Sequence, residues 1–318
     1  MYKEDIKVLD CTIRDGGLVN NHQFSKEFVR NTYKAVAAAG VDYFEIGYKN
    51  CKSMFSPEKF GPWKVCDDDV VAEVVDGIDT KTRISVMADI GRVDMANVKP
   101  ADQSPVDMVR TAMYVKDVDK AIHMSNTFTD LGYETCLNIM AISRDQGPEL
   151  DEALKQIEKE SKANAVYIVD SFGTLYTETM VSVVKRFSAI LETKEIGFHG
   201  HNNQQLAFAN TIDCLINGGT MLDATIFGIG RAAGNCPLEL LLGFLKNPKF
   251  DIRPILDIIA KEYVPLREKL EWGYIIPYAI AGMLNEHPKE AMALRESANK
   301  DDYRKFYDSV LTPDGRVF

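Results

Sequence analysis

Short apolar runs alternate along this chain with longer segments in which apolar residues recur every three or four positions. The first pattern is typical of buried strands, and the second is typical of helices that pack on them. Eight strands are predicted in this way, at Ile6–Thr12, Tyr43–Tyr48, Arg83–Ala88, Met108–Tyr114, Thr135–Ile142, Ala165–Asp170, Glu195–His201 and Leu222–Gly228. Helices are predicted between them, at Lys26–Ala39, Asp68–Asp76, Val118–Leu131, Leu150–Lys162, Glu178–Leu191, Gln204–Asn217 and Pro237–Leu245.

Eight strands, each followed by a helix, are the pattern of an α/β protein with a closed (β/α)8 TIM barrel. The barrel would occupy residues 1–248 as a catalytic domain. An open, doubly wound sheet is the alternative, although no Gly-x-Gly-x-x-Gly motif follows the first strand. Residues 249–318 are predicted to form a C-terminal helical extension packed on the barrel, with helices at Ile252–Leu270, Ile276–Glu286 and Lys289–Val310.

Charge and composition favour small-molecule chemistry. The chain has 37 Lys and Arg against 47 Asp and Glu, and no basic block, so nucleic acid is not an expected partner. No uncharged run approaches the roughly 20 residues that a membrane-spanning helix needs, and the charged start lacks a signal segment. A cytoplasmic protein without a membrane partner is therefore expected. Its six cysteines are scattered, so neither a zinc ribbon nor a disulfide framework is predicted.

The segment His199-Gly200-His201 ends the seventh predicted strand. Alternate residues of a strand point to the same face, so these two imidazoles are placed to share one metal ion. Only five histidines occur in the chain, which makes a chance pair harder to accept. A pair of hydrogen-bonded structural histidines is the alternative interpretation.

The first predicted strand is followed by Arg14-Asp15-Gly16-Gly17, which we interpret as a tight loop. Asp15 offers an oxygen ligand for a metal, and Arg14 offers a permanent cation for a carboxylate or an oxyanion. The glycines would give this loop backbone freedom. A surface ion pair is the alternative. Because active sites of TIM barrels lie at the C-terminal ends of the strands, Asp15 is expected to meet the two histidines.

A glycine-rich loop follows the eighth predicted strand and runs into a helix. Asn235 or Cys236 is predicted to cap this helix, with Pro237 in its first turn. Backbone N–H groups at such a helix start can bind an anion or a carboxylate at the mouth of the barrel. A helix cap without a ligand is the alternative.

These motifs resemble those of the DRE-TIM metallolyases, a family that includes 4-hydroxy-2-oxovalerate aldolase, 3-hydroxy-3-methylglutaryl-CoA lyase, and isopropylmalate and homocitrate synthases. The resemblance spans about residues 5–245. It is carried in order by Leu9-x-x-Thr12-x-Arg14-Asp15-Gly16, Glu45 in Phe44-Glu45-Ile46-Gly47, His199-x-His201-Asn202, and Gly230-x-x-x-Gly234-Asn235-x-Pro237-Leu238-Glu239.

The resemblance implies a divalent metal ion, with Mn²⁺ as the first expectation and Mg²⁺ or Zn²⁺ as alternatives. Its implied ligands are Asp15, His199, His201 and Asn235. Arg14 would stabilise an enolate, and Glu45 would help to orient the site. A mixed nitrogen and oxygen shell suits these ions, and open positions would let a 2-oxo acid chelate the metal.

The general base is where this chain departs from the aldolases that it resembles. They carry a histidine three positions after the metal-binding aspartate, and that position is Leu18 here. His22 matches a second histidine of the same loop and is one catalytic candidate. Tyr274 is another, because Tyr274 and Tyr278 lie where the aldolases place a tail tyrosine near the substrate. Structural packing is the alternative for each of them.

Strand six ends in Val169-Asp170-Ser171-Phe172-Gly173, which is similar to the stretch with which the aldolases contact the substrate carboxylate. Ser171 is therefore predicted to bind substrate, and Asn138 on strand five is predicted to line the same site. Lys49 and Arg231 are interpreted as solvated surface charges, with attraction of an acidic substrate as the alternative.

Three functions remain open from the sequence. The first is a metal-dependent aldolase or lyase that cleaves or forms a carbon–carbon bond of a small 2-oxo acid through a metal-bound enolate, as in release of pyruvate. The second is a Claisen-type acyltransferase that uses an acyl-CoA, and the third is a non-catalytic metal-binding barrel. The apolar helical tail is compatible with a homodimer. The resemblance also implies a partner dehydrogenase, with which the related aldolases associate.

Overall fold

A closed barrel of eight parallel strands forms the centre of the molecule in a computed structural model that describes residues 4–56 and 59–311. The strands run in sequence order around the barrel, β1 Lys7–Asp10, β2 Tyr43–Tyr48, β3 Arg83–Asp89, β4 Met108–Met113, β5 Glu134–Ile139, β6 Ala165–Asp170, β7 Glu195–Gly200 and β8 Met221–Ala224. Pairing of β1 with β8 closes it, with Val8 opposite Leu222. The predicted TIM barrel is confirmed, and the open sheet is excluded.

Helices surround the barrel and continue into the tail. Those of the barrel are α1 Thr12–Gly16, α2 Lys26–Ala38, α3 Asp68–Val75, α4 Val118–Asp130, α5 Pro148–Glu160, α6 Thr177–Ile190, α7 Ala207–Ile216 and α8 Leu238–Leu245. Those of the tail are α9 Arg253–Ile258, α10 Val264–Arg267, α11 Ile276–Met283, α12 Lys289–Glu296 and α13 Tyr303–Val310.

Burial of apolar side chains on both faces of the strands explains the apolar runs in the sequence. Every residue of β2, β4, β6 and β8 is buried. One face packs against the surrounding helices, and the other fills the interior with side chains that include Leu9, Met108 and Tyr167. Removing such apolar surface from water is the main force that stabilises this architecture.

The barrel pattern implies a helix after every strand, and this implication was wrong for the third strand, after which no helix was located in the sequence and no α-helix is present in the described residues. Two short 3₁₀ turns, Met95–Asn97 and Ala101–Gln103, connect β3 to β4 instead. Pro100 and Pro105 lie in this connection, and proline is unfavourable inside an α-helix because it lacks the N–H donor. The other predicted barrel helices are present.

Two predicted tail helices are interrupted. The segment predicted as Ile252–Leu270 comprises α9, a π-helical turn at Ile259–Tyr263, and α10. The segment predicted as Lys289–Val310 is divided into α12 and α13. A new helix start causes this division, since the Asp302 carboxylate accepts a hydrogen bond from the N–H of Lys305 at 3.3 Å.

The segment after β1 is a short helix and not the tight loop that the two glycines suggested. The N–H of Asp15 donates to the carbonyl of Cys11 at 2.9 Å, which is a helical hydrogen bond. Gly16 and Gly17 have φ values of −59° and −60°, so they do not use left-handed backbone conformations. Gly17 is required for space, because a Cβ atom there would overlap the His22 ring.

The tail packs against the C-terminal end of the barrel. Ala232 and Ala233, from the loop after β8, share an apolar cluster with Tyr278 and Ile280 of α11. The side-chain amide of Asn203 donates to the carbonyl of Tyr278 at 3.0 Å. The tail therefore lies beside the loops that form the mouth of the barrel. In the part of the chain that the structure describes, no helix combines the length and apolar character needed to cross a bilayer.

Candidate metal centre and active site

Asp15, His199 and His201 meet at the C-terminal end of the barrel. Asp15 lies on α1, His199 lies near the end of β7, and His201 follows that strand. The Asp15 Oδ2 atom is 3.6 Å from His199 Nε2 and 3.8 Å from His201 Nε2. All three side chains are buried, and their ligand atoms lie within 4.8 Å of one another. The sequence-predicted convergence is therefore observed.

Hydrogen bonds on the far side of each imidazole orient the two Nε2 atoms toward Asp15. Nδ1 of His199 lies 2.8 Å from Oδ2 of Asp223, and Nδ1 of His201 lies 3.1 Å from the carbonyl oxygen of Asp170. Protons on Nδ1 satisfy both contacts and leave Nε2 free to donate a lone pair. The His199 Nε2 atom is buried and has no hydrogen-bond partner.

The protonation states of this cluster suit a cation. Burial opposes ionisation of Asp15, but Arg14 and the two histidines hold the pKa of its carboxyl well below the usual range. Burial, with the charges of His199 and Arg231, lowers the pKa of His201 to about 3. Burial would lower the pKa of His199, yet the nearby carboxylates of Asp15 and Asp223 raise it. At neutral pH the cluster therefore offers a carboxylate and a neutral imidazole.

Asn235, in the loop after β8, offers a further oxygen atom that could bind a metal. Its amide nitrogen donates to the carbonyl of Ile229 at 3.1 Å, while its buried Oδ1 has no hydrogen-bond partner. Gly230 makes room for this arrangement, because a Cβ atom there would overlap the Asn235 amide and lie 2.8 Å from Asp15 Oδ1. Nε2 of His199 and Oδ1 of Asn235 are thus buried lone-pair atoms without hydrogen-bond partners. Such atoms beside a carboxylate can serve as ligands of a divalent metal ion.

The capping role predicted for Asn235 or Cys236 was wrong. Helix α8 begins at Leu238, and Pro237 precedes it as the N-cap in extended conformation. No side chain at the cap satisfies the helix start. The N–H of Leu238 instead donates to the carbonyl of Thr225 at 2.8 Å, so the residue that directly follows strand β8 holds the start of this helix.

A buried network of charges continues from the candidate ligands into the barrel. Arg14 forms an ion pair with Asp15, and its Nε atom donates to Glu45 Oε2 at 2.7 Å. The same Glu45 oxygen lies 3.2 Å from Arg110, which donates to Asp223 at 2.6 Å. Asp223 in turn contacts His199, so the network fixes Arg14 and His199 together.

Arg110 and Asp223 are members of this network that sequence reasoning missed. Each is a buried charge within an otherwise uncharged strand, Arg110 in β4 and Asp223 in β8. Such a charge is costly to bury unless it is paired. A single ionisable residue inside an apolar run was thus the signal that could have identified both.

A small cavity of about 110 Å³ opens beside the candidate ligands. Asn138 and Ser171 line it, as predicted, and the Ser171 hydroxyl accepts a hydrogen bond from the N–H of Ala141 at 2.8 Å. Other polar residues of the lining are Arg14, Asp15, Tyr48, Asp89, His199, His201 and Arg231. Its apolar residues are Leu18, Met87, Ala112, Met140 and Val169.

The structure does not bring His22 or Tyr274 into this cavity. His22 is buried behind Gly17, with its ring edge against Tyr48 at 5.4 Å between centroids. Tyr274 is 60% exposed, and Tyr278 is buried in the apolar cluster of the tail. The cavity-facing phenol is that of Tyr48, at the end of β2, and no motif pointed to it.

Lys49 and Arg231 are not the solvated surface charges that the sequence suggested. Lys49 is partly buried and paired with Asp68 at 2.6 Å, away from the cavity. Arg231 lines the cavity itself. The loop after β8 turns back over the barrel, because the N–H of Arg231 donates to Asp15 Oδ1 at 3.2 Å.

Comparison with known proteins gives consistent results. The HMGL-like family model matches residues 5–259. A 4-hydroxy-2-oxovalerate aldolase of Thermus thermophilus is 30% identical over 286 residues, which cover 86% of this chain and 81% of the relative.

Two solved structures extend the comparison. The N-terminal domain of a putative aldolase from Bacteroides vulgatus is 30% identical, with a TM-score of 0.79 over 94% of this chain and 100% of that chain. An HMG-CoA lyase from Brucella melitensis shares the fold at 15% identity, with a TM-score of 0.66 over 84% of this chain and 100% of that one. The family model and these relatives confirm the resemblance, and the chain belongs to the HMGL-like, or DRE-TIM, family.

Proposed function

We propose that this protein is a divalent-metal-dependent aldolase that cleaves or forms a carbon–carbon bond of a small 2-oxo acid. The observation that carries the proposal is the convergence of Asp15, His199 and His201 in one buried cavity beside Arg14. Relatives named 4-hydroxy-2-oxovalerate aldolase, at 30% identity and slightly below, support it. A substrate that releases pyruvate on cleavage follows from the same relatives.

The metal ion would be held by Asp15, His199 and His201, with the free oxygen of Asn235 as a fourth donor. Carboxylate, imidazole and amide ligands suit Mn²⁺, and Mg²⁺ and Zn²⁺ remain alternatives. When bound, a divalent metal acts as a Lewis acid that polarises the 2-oxo carbonyl group.

Arg14 supplies a fixed positive charge beside the reacting carbonyl. Its guanidinium is buried and held by both Asp15 and Glu45, so it does not need to reorient during the reaction. Cleavage develops negative charge on the carbonyl oxygen as the enolate of pyruvate forms. A preorganised cation in a site with little water stabilises that charge more strongly than water does.

Ser171 and Asn138 are placed to bind the substrate carboxylate. The Ser171 oxygen accepts from Ala141, which leaves its hydroxyl proton to donate to the substrate. Asn138 is buried on β5 and faces the same cavity, and its side-chain amide nitrogen can donate to the carboxylate. Both lie on the side of the cavity formed by β5 and β6.

The proton of the substrate hydroxyl needs an acceptor, and Leu18 occupies the position of the usual histidine. Apart from the candidate metal ligands and the two arginines, Tyr48 and Asp89 are the ionisable groups among the residues described as lining the cavity. Burial raises the pKa of Tyr48 well above its usual value, which makes its phenolate a scarce base. Asp89, whose carboxylate is held by Arg92 at 2.9 Å, is therefore the acceptor that we propose.

The proposal is tested by screening 4-hydroxy-2-oxo acids for pyruvate release with Mn²⁺ present. Wild-type protein is expected to release pyruvate, and Asp15→Ala is expected to lose this activity. Release of free thiol from an acyl-CoA and a 2-oxo acid, without pyruvate release, would favour the Claisen-type acyltransferase. If metal-loaded protein turns over neither kind of substrate, the non-catalytic barrel is the better account.

A further inference from the structure

Arg231 stands apart from every other arginine in residues 4–56 and 59–311. Each of the others has a carboxylate, a carbonyl oxygen or an aromatic ring against its guanidinium group. The guanidinium of Arg231 has none of these partners within the described residues, and its Nε atom is buried without a hydrogen bond. A buried donor without an acceptor costs free energy unless a ligand satisfies it.

The unpaired guanidinium lies between the candidate metal centre and the tail. Arg231 lines the cavity together with His201 and Ser171. After burial, its charge is the largest cause that lowers the pKa of His287, and it also lowers the pKa of His201. Both imidazoles are therefore within electrostatic range of this arginine. His287 lines a second, larger cavity of about 800 Å³ beside α5.

No other cation of the described cavity lining is available for a second anion. Arg14 is already neutralised by Asp15 and Glu45. The carboxylate of Asp89 on the β3 side is itself held by Arg92. The other lining residues are uncharged or are candidate metal ligands, so a negative charge brought by a substrate has one unpaired cationic partner, Arg231. A planar guanidinium with free donors matches a carboxylate.

We infer that Arg231 binds a second carboxylate, at the end of the substrate remote from its 2-oxo acid group. This inference rests on the proposed function and specifies its substrate class as short dicarboxylic 2-oxo acids. The volume of about 110 Å³ restricts the site to small molecules such as a five-carbon diacid. Ser171 and Asn138 remain the partners of the first carboxylate.

The chemistry of such a substrate balances without an added reactant. In a 4-hydroxy-2-oxo diacid the C3–C4 bond breaks, and its electron pair enters the enolate of pyruvate. The C4 hydroxyl group loses its proton and becomes an aldehyde carbonyl group that carries the second carboxylate. Protonation of the enolate at C3 then yields pyruvate, so 4-hydroxy-2-oxoglutarate would give pyruvate and glyoxylate.

Binding can be measured without turnover by calorimetry with Mn²⁺-loaded protein. The probes are 2-oxoglutarate and 2-oxopentanoate, which have equal chain length and differ in a terminal carboxylate or methyl group. Wild type is expected to bind 2-oxoglutarate about 10- to 100-fold more tightly, the range of one hydrogen-bonded charge pair. Arg231→Met should abolish this preference, and Arg231→Lys should keep part of it.

Arg304→Met is the matched control, because it removes the same charge from a side chain that is 95% exposed on α13. It should keep the wild-type preference. Equal affinities of wild type for the two probes, or a preference that survives in Arg231→Met, would overturn the inference.

A cleavage assay separates this inference from the proposed function. The paired substrates are 4-hydroxy-2-oxoglutarate and 4-hydroxy-2-oxopentanoate, and pyruvate is measured for both. Wild type is expected to have the higher kcat/KM for the diacid, and Arg231→Met is expected to remove most of that difference. If both are cleaved equally by both proteins, the inference fails and the aldolase remains. If neither is cleaved while 2-oxoglutarate still binds through Arg231, the aldolase fails and the carboxylate site remains.

Discussion

The Nδ1 atom of His199 lies 2.8 Å from Oδ2 of Asp223 on the neighbouring strand β8. This contact holds the proton of the imidazole on Nδ1 and directs Nε2 toward Asp15. Asp223 is itself fixed by Arg110 at 2.6 Å. A carboxylate that does not face the cavity thus determines how one candidate metal ligand is presented.

Asp223→Asn is expected to weaken Mn²⁺ binding while the protein stays folded. The amide cannot stabilise the same Nδ1–H tautomer as strongly, so the Kd for Mn²⁺ should rise about 10- to 100-fold. Calorimetric titration measures this change. Asp130→Asn, at a carboxylate that is 63% exposed, is the control and should leave the Kd unaltered. An unaltered Kd in Asp223→Asn would remove this residue from the account of the metal centre.

Arg14→Met is expected to retain the metal but to lose catalytic rate. Loss of one preorganised contact with a developing oxyanion typically lowers kcat by about 10²- to 10³-fold. The variant also leaves Glu45 and Asp15 buried without their cation, so a lower melting temperature is expected. Pyruvate release should be measured below that temperature, with metal content determined in parallel. A metal-loaded Arg14→Met protein with wild-type kcat would contradict the assigned role.

Gly230→Ala is expected to disrupt the candidate metal centre through a single methyl group. The added Cβ atom would overlap the Asn235 amide and lie 2.8 Å from Asp15 Oδ1. The Asn235 amide and the Asp15 carboxylate must both move to make room for it. Mn²⁺ affinity should therefore fall at least about 10-fold, as it typically does when the groups that orient metal ligands are changed. The same change at Gly243 in α8 is the control, since the nearest atom there is 3.8 Å away. Equal Mn²⁺ affinity in the two variants would show that the loop tolerates the methyl group.

His22 is expected to make the protein sensitive to acid. Burial, and then the charges of Lys64 and Arg14, lower its pKa from 6.5 to about 3 in the folded state. Between these values the unfolded chain binds a proton that the folded chain does not, so acidification favours unfolding. The contribution is about 2 kcal/mol between pH 6.5 and pH 5.

Urea unfolding of wild type and His22→Asn at pH 7 and pH 5 isolates this effect. The variant lacks the titrating imidazole, so its free energy of unfolding should fall less than that of wild type over this interval. Asparagine suits the position because it tolerates the positive φ of 59° found there. If the two free energies fall in parallel, His22 is not the acid-sensitive group.

The barrel was predictable because parallel strands and their covering helices have different apolar periods along the sequence. Asp15 and the histidine pair were predictable for a related reason, since a barrel places the C-terminal ends of its strands in one region. The helix at Thr12–Gly16 was not predicted, because two glycines favour a turn when the hydrogen bond from Asp15 to Cys11 is unknown.

The residues that support the site were harder to find. Arg110 and Asp223 are separated by 113 positions and meet only across the interior of the barrel. Arg231 appeared to be a surface charge because nothing local shows that its loop turns back to Asp15. Tyr274 and His22 were catalytic candidates because they match positions in the aldolases, yet neither lines the cavity. A matched position in the chain does not fix the direction of a side chain.

The central claim is that Asp15, His199 and His201 together hold one divalent cation. The most direct test is the Mn²⁺ content at equal free metal of wild type, Asp15→Ala, His199→Ala and His201→Ala, with exposed His123→Ala as the control. We expect one Mn²⁺ per chain in wild type and in His123→Ala, and loss of most of it in each of the other three folded variants. Full occupancy in any of those three would contradict the claim.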